Sequence, residues 1–98
     1  MEELRTPNDE LLMLMRNSIR KIISEQIPDF RFTELRLING VERTPESQKY
    51  VVCIEAKIPS GKYVLSATEH SLASVGEMLV KKYHNIPSIR EQYYITSK

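Results

Sequence analysis

KYVVCIEAKIPSGKYVLSA, residues 49 to 67, is the stretch whose reading decides the fold. In its first ten residues Tyr50, Val52, Ile54, Ala56 and Ile58 share one parity, while Val51, Cys53, Glu55 and Lys57 share the other. That period of two, rich in β-branched and aromatic residues, reads as a half-buried strand. PSG then supplies a tight turn, and KYVLSA returns as the next antiparallel strand.

Upstream, in RFTELRLIN, Thr33, Leu35 and Leu37 alternate with Glu34, Arg36 and Ile38, a further strand. Phe30 and Phe32 sit in the opposite phase. Either a bulge lies near Thr33, or the two rings pack against a helix end before the strand begins. NGVERTPESQ is a loop with turn residues at both ends. Downstream, Leu72, Val75, Leu79 and Tyr83 follow the spacing of a core-facing helical stripe. Ser66 with Glu69, or Thr68 alone, can cap that helix, and Asn85 and Pro87 end it. Gly76 lies beside the stripe, which implies close approach to the sheet.

The first helix opens at Thr6 and Pro7, with Asp9 favourable at its start, and Pro28 stops it. Within it, ELLMLMRNSIRKII (10–23) contains five successive apolar residues, Leu11 to Met15. At ~100° per residue, Leu11, Leu12, Met15, Ile19, Ile22, Ile23 and Gln26 fall in one sector, the expected core face. Met13 lies beside Asn17, Arg20 and Ser24, and Leu14 near Lys21 and Glu25, so both fall outside that sector.

The order is α-β-β-β-α, an α+β class: two helices on one face of a three-stranded antiparallel sheet. A chain of 98 residues is one domain, 1–98, with a helix at 6–27, the sheet at 32–66, a helix at 67–85 and a tail at 86–98. The tail carries β-prone YYIT, and an added edge strand, packing on a helix or a loose end all stay open.

Composition narrows the function classes. Hydrophobic residues at 41% and charged residues at 28% are ordinary globular values, which argues against disorder in the body of the chain. The net charge of +1 creates no strong global field toward nucleic acid or anionic membrane. A single cysteine, Cys53, excludes an intramolecular disulfide and a thiolate metal cluster, and fits a reducing, cytoplasmic setting. The start MEELRTPNDE lacks the basic and apolar segments of a signal peptide, and no apolar run approaches a bilayer span.

Catalytic signals are missing. His70 and His84 have no second ligand at helical spacing, so no metal is expected. Cys53 sits mid-strand without a neighbouring histidine and reads as structural. Asp9 and Asp29 stand at helix ends, where dipole roles suffice. The three glycines form neither GxxxxGK[ST] nor GxGxxG. The expectation is a non-enzyme with no catalytic residues and no cofactor.

The stretch YVVCIEAKIPSGKYVLSATEHSLASVGEMLVKKY, together with the element order, resembles the double-stranded RNA-binding domain over residues 30 to 84. Tyr50 matches the aromatic that opens the family's second strand, and Thr68 the serine that caps its last helix. Leu72 and Gly76 match small or apolar helix positions. The resemblance implies a similar scaffold. At the phosphate-gripping positions, however, this chain reads TEHSLA, with Glu69 and His70 where the family has lysines. NGVERTPES lacks the family's Gly-Pro-x-His loop. Degenerate members of that family serve as dimerisation or docking modules, and this chain is more similar to those. Small KH-like folds are a second comparison in shape, with YYIT as the last strand, but the Gly-x-x-Gly clamp is absent.

Three functions follow, in order. The first is an interaction module that self-associates as a homodimer or docks on a protein partner, with Met13, Leu14, Tyr93 and Tyr94 as the surface. The second is RNA binding through Arg16, Arg20, Lys62, Lys81 and Lys82. The third is an inhibitor or accessory factor of phage or viral type. None requires a membrane.

Overall fold

The computed structural model describes residues 7–42, 44–87 and 89. In them α1 (Pro7–Ile23) is followed by β1 (Phe30–Ile38), β2 (Lys49–Ile58), β3 (Gly61–Glu69) and α2 (Leu72–His84). The strands form one antiparallel sheet in the order β1-β2-β3. This is the α+β arrangement expected, with both helices on one face. No helix among the described residues is long and apolar enough to cross a membrane.

The alternation in β2 sets the sheet's two faces. Val52, Ile54 and Ala56 are fully buried under the helices. They sit across from Ala67, Leu65 and Tyr63 of β3 on one side, and Ile54 and Val52 face Phe32 and Leu35 of β1 on the other. The register of β1 slips between Phe32 and Glu34, so a bulge at Thr33 resolves the phase conflict. The extra residue returns Phe30 and Phe32 to the same face as Leu35 and Leu37. Their rings meet edge-to-face at 5.4 Å. A two-residue turn joins β2 to β3, closing on Ile58 and Gly61, and Gly61 takes φ +143°, a conformation that glycine tolerates best.

Helix α1 contributes a buried ridge to the core, Met15, Ile19 and Ile23, continued by Ile27 beyond its end and flanked by Leu12 and Ile22. α2 answers with Val75, Leu79 and Tyr83. Gly76 is a point of close approach, but to α1 and not to the sheet as the sequence suggested. A Cβ built there would press into Ile22 Cγ2 and lie 3.0 Å from Ile22 Cβ. Farther on, the His84 ring bonds the Gln26 side chain at 3.1 Å. The two meetings fall in the same order along both segments, Gln26 lying just past the end of α1, so α1 and α2 run in the same sense. Because α2 begins shortly before Gly76, the first two turns of α1 lie beyond its start.

Four expectations need correction. α1 ends at Ile23, not near residue 26 or 27: the Gln26 and Ile27 amides both fold back on the Ile23 carbonyl, and Pro28 has no amide with which to continue the ladder. Gln26 is therefore outside the helix and exposed. The second helix does not start at 67. β3 continues to Glu69, which pairs with Tyr50, and the cap is Ser71, whose side chain accepts from the Ser74 amide at 3.1 Å. Leu11, assigned to the core stripe, is 39% exposed.

Candidate interaction surface

The apolar residues that the core leaves uncovered on α1 divide into two lines. Leu14 is 63% exposed, and Leu11 and Met13 are each 39% exposed. Leu11 and Leu14 are three residues apart and so lie on one flank of the helix, leading toward Ser18 and Lys21. Met13 is ~100° away from Leu14, on the opposite flank with Arg16 and Arg20. The structure thus separates Met13 from Leu14 and joins Leu14 to Leu11. Tyr93 and Tyr94 lie outside the described residues.

Sequence reasoning missed Leu11, since its angle alone places it at the border of the buried sector. The signal that could have found it is the spacing Met15-Ile19-Ile23-Ile27, a four-residue ridge that is complete without it.

The five basic residues do not gather. The Arg20 guanidinium lies over both phenyl rings of β1, 5.5 Å from Phe30 and 5.2 Å from Phe32. It therefore serves as a cation–π cover for the aromatic pair. Lys82 Nζ donates to the Ser66 carbonyl at 2.6 Å. Lys62 belongs to the opposite face of the sheet, with its ammonium 3.8 Å from the Glu55 carboxylate. Arg16 and Lys81 are exposed on separate helices.

The face of the sheet away from the helices carries Val51, buried, and Val64, exposed, among charged groups that largely neutralise one another. Glu55 receives Arg31 at 3.1 Å as well as Lys62, and Lys57 stands 4.0 Å from Asp29. Exposed pairs of this kind contribute little stability individually. At the centre of the face, Cys53 Sγ donates to Glu34 Oε1 at 3.4 Å, and Arg36 bonds the other carboxylate oxygen. Arg36 and then Cys53 hold the Glu34 carboxyl below its usual range. Partial burial, with the Glu34 carboxylate second, pushes the Cys53 thiol up.

A raised thiol pKa leaves less thiolate at a given pH, and thiolate is the reactive form. Cys53 should therefore alkylate with iodoacetamide at pH 8 more slowly in the folded chain than in urea. Glu34→Gln, which removes the carboxylate, should speed the folded-state reaction. Equal rates in folded and unfolded chain would contradict this.

His70 Nδ1 lies 3.0 Å from the Gln48 carbonyl, and no group of three or more His, Cys, Asp or Glu among the described residues is placed to hold a metal ion. Fold and surface together define a small two-helix, three-strand α+β domain with an apolar flank on its first helix. No family model, curated protein or solved structure matches the chain.

Proposed function

We propose that the chain is a small non-enzymatic interaction module that works by association with a protein surface, its own or a partner's. The observation that carries this reading is the exposure of Leu14 and Leu11 on a helix whose core ridge is already complete. Exposed apolar side chains that adjoin one another, rather than scattered singly, are where a contact surface can build. The element order supports a scaffold of double-stranded RNA-binding-domain type put to a docking use. The dispersal of Arg16, Arg20, Lys62, Lys81 and Lys82 over different faces favours docking over a phosphate grip.

A photoreactive side chain at position 14 tests this in cell extract, where it reports a protein docked on α1. The expected result is intermolecular adducts through that position, lost when Leu11→Lys is added. Adducts with solvent or within the chain alone would overturn the reading. So would duplex RNA binding that weakens steeply with added salt, the signature of counterion release.

A further inference from the structure

The sheet has two edges, and they differ. β1 is interrupted by the bulge at Thr33, a common way of blunting an edge. β3 runs nine residues in regular register with β2. Its two-residue hairpin closes on the pair Ile58 and Gly61, so by alternation Gly61, Tyr63, Leu65 and Ala67 direct their backbone groups to β2. Lys62, Val64, Ser66 and Thr68 direct theirs outward. The Lys82 ammonium on the Ser66 carbonyl confirms that direction. The same edge carries exposed apolar side chains, Val64 at 64% and Tyr63 at 44%. Beside them a groove of about 310 Å³ separates β3 from Lys82, Asn85 and Ile86 at the end of α2.

We propose that β3 pairs antiparallel with β3 of a second copy of this chain, about a two-fold axis at Val64. The proposal rests on the reading of the chain as an interaction module and names one partner and one site for it. What selects a second copy is the self-complementarity of the strand about that residue. Val64 faces Val64, Lys62 faces Ser66 of the other copy, and Tyr63 faces Leu65 across the helix side, so both exposed apolar side chains are covered. No like charges oppose each other in this register, whereas moving the axis to Lys62 would set lysine against lysine. The outward amides and carbonyls of Lys62, Val64 and Ser66 become paired. The Ser66 carbonyl has two lone pairs and accepts the new amide with Lys82 still in place. A single strand pair is a small interface, so the dimer is concentration-dependent.

Sedimentation of the full chain over a wide concentration range tests the proposal, with amide exchange as a second measurement. The average mass should rise with concentration in the native chain and in Leu11→Lys/Leu14→Lys. It should stay monomeric in Val64→Lys, which places two ammonium groups at the axis. The amides of Lys62, Val64 and Ser66 should gain protection as concentration rises. A native chain monomeric throughout, or a Val64→Lys chain that dimerises equally well, overturns the proposal. Association lost in Leu11→Lys/Leu14→Lys and kept in Val64→Lys also overturns it, while leaving the module reading standing on α1. Protection that is independent of concentration and disappears when residues 90–98 are removed assigns the edge to the chain's own tail, and overturns it too. The module reading itself fails separately, on the position-14 adducts or on salt-sensitive duplex binding.

Discussion

Replacing Ile19 by alanine should lower the unfolding free energy by about 2–5 kcal/mol, the range for deleting a fully buried branched side chain. Ile19 has no exposed surface and sits between Met15 and Ile23 on the fully buried ridge of α1, with Leu12 and Ile22 packed beside it. The loss combines the transfer of the removed atoms with the cavity left behind, because helix and sheet cannot both close over the gap. In a domain of this size each kcal/mol moves the thermal midpoint by roughly 4–8 °C. Calorimetry or urea unfolding reads the effect. A loss under about 1 kcal/mol would mean that α1 is not seated on the sheet as described.

Gly76→Val should cost about 1–3 kcal/mol, the range for overpacking a close contact. The added side chain must enter space held by Ile22, whose Cβ is too near the helix backbone to swing away. Removing a mid-helix glycine returns at most about 1 kcal/mol of helix propensity, so the sign is not in doubt. Ile22→Ala opens the same space from the other side. The double variant should therefore be more stable than the sum of the two single losses implies, by about 0.5–3 kcal/mol, since neighbours in contact couple in that range. Strict additivity would show that Gly76 and Ile22 do not meet.

These contacts mark where the sequence was legible and where it was not. The alternation from Tyr50 to Ile58 named the face of β2 that meets the helices, with Val51 the exception, buried although it belongs to the other parity. The bulge at Thr33 was visible as a phase break between Phe32 and Leu35. The start of α2 was not legible. Ser66, Thr68 and Ser71 all offer capping hydroxyls in a short span, and pairing of Thr68 and Glu69 with β2 decides among them. Gly76 was recognisable as a close approach, but a glycine does not say what approaches it. The apolar flank was half legible, since helical angles placed Leu14 outside the core and Leu11 within it. Which side chains a helix buries depends also on how far its neighbour extends, and α2 starts too late to cover the first turns of α1. The outward edge of β3 needed the hairpin register and the Lys82 contact, neither of which is encoded locally.

The central claim is that Leu11 and Leu14 serve association and not the fold. Equilibrium urea unfolding of Leu11→Lys/Leu14→Lys, at a concentration where the chain is monomeric, tests it most directly. Exposed substitutions away from special features stay within about 0.5 kcal/mol of the native chain, so an unchanged midpoint and slope are predicted. A loss of about 2 kcal/mol or more, in the range set by burial of a leucine, would place these side chains in the core and contradict the account.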